Sequence, residues 1–188
     1  RTLEEAATNR YFALIDSVAD TIDKCHDAKQ KAALLLIRAV AYSDTQNNEA
    51  AIDDLTAVVQ LDSTQTLAYW QRAVCQARLN AFNASQGTDI SMKTANVLSD
   101  LSEAIENNPS AILYYNRGNV YVQRKDYLHA IEDYSKAIEM DSHLAEAYYN
   151  RGIARLALKQ QAQAVADLSK AGELGLYAAY SIIKQNRK

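Results

Sequence analysis

The residue types that most often carry out catalysis or bind metal ions are few in this sequence and widely separated. The histidines are at positions 26, 129 and 143, and Cys25 stands beside the first of them. Since no second pair of ligands follows Cys25 and His26 at the spacing of a zinc site, we expect no metal site. His129 and Asp133 are one helical turn apart, which is the spacing of a surface pair on a helix. No nucleophile is paired with a base, so the sequence predicts no enzyme activity, no catalytic residue and no cofactor.

A different chemistry is indicated by arginines and aspartates that recur at regular intervals. A guanidinium and a carboxylate can form two parallel charge-assisted hydrogen bonds, a contact that demands a fixed geometry. We interpret these residues as a structural ion-pair ladder that ties pairs of helices together, because each arginine has its own aspartate to neutralise it. The alternative is a row of arginines that binds an acidic ligand. The residues are Arg38, Arg72, Arg117 and Arg151, with Asp54, Asp100, Asp133 and Asp167.

Composition narrows the choice of fold that must position these residues. The chain has 188 residues, of which 48% are hydrophobic and 23% are charged. Its 5 glycines and single proline are too few for a collagen-like, disordered or β-rich chain. Its 32 alanines, and its 12 tyrosines against 2 phenylalanines, are typical of a helical protein that uses tyrosine as its large residue.

Charge and hydropathy exclude further classes of function. The net charge of −3 argues against nucleic-acid binding, which usually depends on a basic surface. No apolar run is long enough to span a bilayer, so we expect a soluble chain without membrane insertion. Because the sequence begins with Arg1 rather than methionine, we interpret it as a fragment of a longer protein whose targeting segment is not visible. Its localisation is unknown.

A pattern that repeats every 34 residues organises most of the chain. Residues 114–119 read YYNRGN and residues 148–153 read YYNRGI, so that Gly118 and Gly152 are 34 positions apart. The same spacing separates Ala137 from Ala171. Within a repeat, two apolar stripes at helical spacing are separated by a turn. The sequence therefore predicts four helical hairpins, over residues 32–65, 66–110, 111–144 and 145–178.

This pattern resembles the tetratricopeptide repeat family. In the fourth repeat Arg155 replaces the tyrosine that the third repeat has at Tyr121. The resemblance implies an all-α fold, a right-handed α-solenoid of about four hairpins in a single domain over residues 1–188. The third repeat carries the family's alternation of small and large residues at Tyr114, Gly118, Tyr121, Ala130, Tyr134 and Ala137.

Three segments do not follow the repeat. Residues 2–27 carry an unbroken apolar stripe and are predicted to form one N-terminal helix, which either caps the array or is the second helix of an earlier repeat. Residues 177–187 are predicted to form a capping helix. Extra polar residues at 80–94 are predicted to be a loop insertion in the second repeat, which either carries a binding contact or is tolerated drift.

The resemblance also implies a non-catalytic scaffold for protein–protein interaction. In this family the first helices of the repeats form a concave groove that binds a segment of another protein or a peptide. Aromatic rings supply contact area and amide side chains can pair with a peptide backbone, although packing between repeats is an equal alternative for the aromatic residues. The alternative function is structural self-association, a homo-oligomer that packs through the N-terminal helix. The predicted peptide-binding residues are Trp70, Gln71, Tyr115, Asn116, Asn119, Gln123, Tyr149 and Asn150.

Overall fold

The computed structural model describes residues 3–87 and 93–186. Across these residues the chain folds into α-helices without any strand, which confirms the all-α prediction. In the same ranges, none of the helices has the length and hydropathy needed to cross a membrane. The helices are α1 (Leu3–Lys24), α2 (Ala28–Asp44), α3 (Asn48–Leu61), α4 (Thr66–Ser85), α5 (Lys93–Asn107), α6 (Ala111–Gln123), α7 (Tyr127–Met140), α8 (Ala145–Ala157), α9 (Gln161–Glu173) and α10 (Ala178–Gln185).

Polar residues determine where several of these helices begin. Asp27 caps α2 by accepting a hydrogen bond from the backbone N–H of Gln30 at 2.8 Å. Ser110 caps α6, and Asp126 caps α7, through the same type of bond. Each cap satisfies a backbone donor that has no partner inside its helix, which explains why aspartate and serine stand at these boundaries.

The turn inside a hairpin depends on one residue with left-handed backbone conformation. Gln46, Lys125 and Lys159 have φ values of 62°, 60° and 59° and stand at the same position of the first, third and fourth repeats. The second hairpin differs at the corresponding Asn80, which lies inside α4 and is only 3% exposed. Its helix therefore continues where the others turn.

The prediction of a loop insertion at 80–94 is wrong for residues 80–85, which continue α4. Helix α4 is 20 residues long, against 13 for α6 and for α8, and residues 80–85 are its last turns. Alanines 81 and 84 favour helix, and Asn80 is held within the helix because its side chain accepts a hydrogen bond from Gln76 at 3.0 Å. Helix α5 begins at Lys93, and residues 88–92 of the predicted insertion lie outside the described residues.

The chain forms two compact units, Arg1–Asn107 and Asn108–Lys188. The N-terminal unit contains α1 and the hairpins α2–α3 and α4–α5. Its core includes Leu35, Leu55 and Val58, and α1 contributes Ile22 to the same cluster. The N-terminal helix is thus joined to the first hairpin through buried apolar contacts.

The C-terminal unit contains the hairpins α6–α7 and α8–α9 and the final helix α10. Glycine allows its helices to approach closely. A Cβ atom on Gly118 would lie 2.7 Å from the ring of Tyr134, and one on Gly152 would lie 2.8 Å from Leu168 Cγ. Helix α10 packs on α9 with Ala179 and Ile183 in the core. The repeat bounds and the single-domain organisation predicted from the sequence stay predictions.

Candidate functional site

The arginines of the ion-pair ladder each donate two hydrogen bonds to the carboxylate of an aspartate in the second helix of the same hairpin. The donor–acceptor distances are between 2.7 and 2.9 Å. The arginine side chains are 14% to 20% exposed and the aspartates 5% to 11% exposed. These contacts are bidentate and partly buried, the strong form of the interaction. The pairs are Arg38–Asp54, Arg72–Asp100, Arg117–Asp133 and Arg151–Asp167.

Each of these arginines also lies over a tyrosine ring. The guanidinium carbon is 5.6 to 5.8 Å from the ring centre, within the range of a cation–π contact. In the last three hairpins the ring stands three residues before the arginine, at Tyr69, Tyr114 and Tyr148. In the first hairpin that position is Leu35, and Tyr42 on the other side supplies the ring.

Two ladder arginines also reach the preceding hairpin of their own unit. Arg72 donates to Thr56 Oγ1 at 3.1 Å, and Arg151 donates to Ser135 Oγ at 2.9 Å. The hydrogen bond to Asp100 raises the pKa of Arg72 above its ordinary value, although burial opposes the charged form. These guanidinium groups therefore remain ionised. Their charge is balanced by the aspartate, and their other N–H groups and ring faces are in contact with neighbouring side chains.

The fourth hairpin places a second guanidinium on one carboxylate. Arg155, where the third repeat has Tyr121, donates from Nη1 to Asp167 Oδ2 at 2.7 Å. Asp167 thus accepts from both Arg151 and Arg155, and its side chain is 5% exposed. In the described ranges the Nε atom of Arg155 is buried without a hydrogen-bond partner. In this hairpin the charges of two guanidinium groups therefore share the single carboxylate of Asp167.

Four side chains of the C-terminal unit form a hydrogen-bonded cluster, which we call the amide cluster: Tyr115, Asn119, Tyr134 and Asn150. Asn119 Oδ1 accepts from the Tyr134 hydroxyl at 2.7 Å and from Asn150 Nδ2 at 2.9 Å. Asn150 Nδ2 is also 3.3 Å from the Tyr115 hydroxyl. The rings of Tyr115 and Tyr134 are tilted at 45° with centres 6.0 Å apart. Three of the predicted binding residues are therefore brought together on neighbouring first helices.

Tyr134 is the member that the sequence analysis did not assign to the site. It lies on the second helix α7 and is 1% exposed, so that its repeat position indicated only core packing. Its hydroxyl nevertheless reaches from the core to Asn119. Burial, followed by the neighbouring Tyr115, raises the pKa of Tyr134 well above its ordinary value. The phenol is therefore a neutral donor that holds Asn119 in one orientation.

The amide cluster leaves one donor group and one acceptor group unused. Among the described residues, Asn119 Nδ2 and Asn150 Oδ1 take no part in the hydrogen bonds of the cluster. Both side chains are half-buried. A free N–H and a free carbonyl on adjacent helices complement the C=O and N–H of a peptide group.

The other predicted binding residues of this unit differ from one another in solvent exposure. Asn116 is half-buried and Gln123 is exposed. Tyr149 is half-buried against the core cluster that contains Leu168 and Ala171, so that part of its ring has a packing role.

The remaining two predicted residues lie in the N-terminal unit, on α4. Trp70 and Gln71 are half-buried, and Leu67 on the same face of the helix is 42% exposed. Ile37 of α2 is 46% exposed, so that α1 does not cover this part of the unit. The surface here is apolar, in contrast to the amide cluster. No group of three histidine, cysteine or carboxylate residues within 3–87 and 93–186 could hold a metal ion.

Comparison with known proteins identifies the repeat. Residues 118–159 match the family described as TPR repeat. The human tetratricopeptide repeat protein 13 is 30% identical over 111 residues, which cover 56% of this chain and 12% of that protein. The chain therefore spans only a small part of the length of this relative.

Solved structures with the same fold are also found. A crystal structure of MamA superposes with a TM-score of 0.78 at 22% identity, covering 96% of this chain and 98% of that chain. YrrB, described as a TPR protein with an unusual peptide-binding site, superposes with a TM-score of 0.69 at 16% identity, covering 93% and 87%. At these identities the likeness establishes the fold.

Proposed function

Because the chain carries tetratricopeptide repeats, whose fold is that of a protein-interaction scaffold, we propose that it is a non-catalytic module that binds an extended segment of another protein. The proposed contact surface of the C-terminal unit is the amide cluster with Asn116, Gln123 and Tyr149 around it. In the N-terminal unit, Trp70 and Gln71 are the proposed contact residues. None of these side chains is charged, which favours recognition of a peptide backbone over a charged terminus.

The observation that carries the proposal is the pair of unused groups on Asn119 and Asn150. Asn119 Oδ1 is already occupied by two donors at 2.7 and 2.9 Å, which fixes the amide and directs its NH₂ group away from them. Asn150 is fixed in the same way through its Nδ2 atom. Side chains held in advance lose little conformational entropy on binding, so that their contacts contribute more fully to affinity.

The proposed mechanism follows from this arrangement. A backbone carbonyl of the bound segment accepts a hydrogen bond from Asn119 Nδ2, and a backbone N–H donates to Asn150 Oδ1. The tyrosine rings at positions 115 and 149 provide contact area for neighbouring side chains. Main-chain bonds of this type give affinity with little sequence preference, and the rings supply selectivity.

The experiment is affinity capture from a lysate of the source organism, with wild type compared with an Asn119→Ala/Asn150→Ala variant. The matched control is Glu132→Gln, which changes an exposed side chain of the same unit outside the proposed contact surface. A protein retained by wild type and by Glu132→Gln, but lost from the double variant, supports the proposal. Equal capture by all three forms contradicts it.

We also propose that the ion-pair ladder is structural rather than a site for an acidic ligand. The observation in its favour is that each guanidinium is already paired with a carboxylate at 2.7 to 2.9 Å and lies over a ring. An acidic ligand would have to displace an aspartate that is 5% to 11% exposed.

Self-association is a second candidate function, favoured by one feature of α1. Phe12 and Leu14 are 53% and 37% exposed, whereas Ile15 and Ile22 of the same helix are buried. A second copy could cover the exposed side chains. Sedimentation equilibrium of wild type and Phe12→Ser tests this function: a dimer that the substitution dissociates supports it, and a monomer at all concentrations contradicts it.

A further inference from the structure

The extended end of α4 forms one wall of a cleft in the N-terminal unit. The opposite wall is the end of α2 and the turn into α3, residues 43, 44 and 46–49. The cleft has a volume of about 750 Å³, and it is lined on the α4 side by Arg78, Leu79 and Phe82. By repeat position Arg78 and Leu79 correspond to Gln123 and Arg124 at the end of α6, so the part of this wall that the regular hairpins lack is Phe82. None of the eight predicted peptide-binding residues lines this cleft.

Two carboxylates and one unsatisfied acceptor are present on the turn side of the cleft. Asp44 and Glu49 are exposed carboxylates in its lining. Asn48 also belongs to the lining, where its Nδ2 atom donates to Gln46 O at 3.3 Å and its Oδ1 atom is buried without a donor among the described residues. Because Oδ1 is buried, the acceptors that a ligand in the cleft can reach are the two carboxylates.

The positive charge in the cleft is already engaged. Arg78 donates from Nη1 to Ser43 Oγ at 3.0 Å and lies 3.5 Å from the carbonyl of the same residue, at the C-terminal end of α2. A cation at this position also interacts favourably with the helix dipole. Arg78 therefore holds the two walls together, and Asp44 and Glu49 leave the cleft with a net negative lining. A hydrogen bond to Asp44 raises the pKa of Tyr11, so that Asp44 is contacted from α1 as well.

The other wall is apolar and open. Phe82 is 64% exposed, and Leu79 is half-buried one turn before it on the same face of α4. An exposed aromatic ring beside carboxylates favours a cation with an aliphatic stem, because the stem packs on the ring and the charged end pairs with the carboxylates.

We propose that this cleft binds a lysine or arginine side chain of a partner polypeptide, with an apolar residue beside it packed on Phe82. The argument is charge complementarity: Asp44 and Glu49 offer exposed acceptors, and Leu79 and Phe82 offer the apolar contact. The cleft is a second contact point that the α4 extension adds to the N-terminal unit, separate from the amide cluster.

The test uses a defined probe, N-acetyl-leucyl-lysine N-methylamide, followed by NMR amide shifts of the whole chain. The control probe replaces lysine with norleucine, which has the same stem without the charge, and an arginine probe tests the second cation. We expect saturable shifts at residues 43–49 and 78–82 with both cationic probes, and affinity lower by roughly tenfold for norleucine. Equal binding of norleucine, or shifts confined to other residues, would overturn the proposal.

Variants of exposed residues keep the test independent of folding. Asp44→Asn/Glu49→Gln should weaken the lysine probe by roughly tenfold, and Phe82→Ala should weaken the lysine and norleucine probes alike. Glu132→Gln, an exposed carboxylate in the other unit, is the matched control and should change nothing. If the double variant binds the lysine probe as tightly as wild type, the cleft does not recognise a cation. The capture experiment with the asparagine variants is unaffected by this result, so the two proposals fail separately.

Discussion

The third hairpin, α6–α7, and the fourth, α8–α9, are built to the same plan with different residues. Both join their helices by a bidentate arginine–aspartate pair, and both place a glycine against a large side chain. The large residue is Tyr134 in the third hairpin and Leu168 in the fourth. The third hairpin has one arginine on its aspartate, whereas the fourth has two.

These two hairpins show that the surface chemistry of a hairpin depends on a residue in its core. Tyr134 is buried, yet its hydroxyl orients Asn119 on the surface. The fourth hairpin cannot do this, because Leu168 has no polar end and the residue corresponding to Asn119 is Ile153. Its polar contacts are instead buried between the two helices, where Asp167 accepts hydrogen bonds from two guanidinium groups.

The largest expected effect comes from removing the two aspartates. Asp133→Ala leaves Arg117 partly buried without its carboxylate and should lower the free energy of unfolding by about 3–5 kcal/mol. Asp167→Ala leaves both Arg151 and Arg155 without it and should cost more. Urea unfolding of both variants measures the difference, with Glu132→Ala as the exposed control. Equal losses of unfolding free energy would mean that the second arginine, Arg155, does not increase the contribution of Asp167 to stability.

Filling the glycine positions should have the next largest effect. Gly118→Ala places a Cβ 2.7 Å from the Tyr134 ring, and Gly152→Ala places one 2.8 Å from Leu168 Cγ. Overpacking of this kind costs about 1–3 kcal/mol. The first hairpin has Ala39 and Leu55 at the same two positions, both buried.

This gives a rescue experiment. Gly118→Ala should be less harmful in a Tyr134→Leu background than in wild type, with a coupling energy of about 1 kcal/mol in a double-mutant cycle. Additive losses of unfolding free energy would show that Gly118 and Tyr134 are not energetically coupled.

The pH dependence of stability tests the buried hydroxyl of Tyr134, a group that Leu168 of the fourth hairpin lacks. Burial raises the pKa of Tyr134, so the folded state favours the neutral phenol. Its contribution to stability is full below the ordinary tyrosine pKa of 10.0 and is lost as the pH rises above it. Wild type should therefore lose up to about 1.4 kcal/mol per pH unit more than Tyr134→Phe above that pH. Thermal unfolding between about pH 9 and about pH 11 measures this slope.

The control for the pH experiment is Tyr177→Phe, which removes the hydroxyl of a tyrosine that is 74% exposed. If the Tyr134 and Tyr177 variants lose stability in parallel with wild type, the buried phenol has no special role at high pH.

The smallest expected effect is that of Arg155→Tyr, which gives the fourth hairpin the residue of the third. Asp167 keeps its two bonds to Arg151, and the unpaired Nε of Arg155 is removed. The change in unfolding free energy should be less than about 1 kcal/mol, because a lost ion pair is offset by a removed desolvation cost. Arg151→Met is the contrasting variant, and it should be several times more destabilising. Equal effects of the two would contradict the ranking.

The sequence alone determined the helical hairpins and the repeat, because periodic apolar residues and matching small and large positions are local features of the chain. The all-α fold and the tetratricopeptide resemblance, read from Tyr114, Gly118 and Tyr134, are confirmed. The Arg–Asp recurrence also suggested partners one helix apart, since each member repeats in register.

The meeting of polar groups from different helices depends on how the helices pack. The bond from Tyr134 to Asn119, the junction of Asn119 with Asn150 and the second arginine on Asp167 each join residues on different helices. The continuation of α4 through Asn80 is likewise a feature of the folded chain, in which Gln76 donates a hydrogen bond to the Asn80 side chain. Side-chain contacts across helices depend on distances that no local pattern encodes. For that reason the predicted contact residues could be chosen by repeat position, whereas the hydrogen bonds that hold Asn119 and Asn150, and the cleft beside α4, are features of the folded chain.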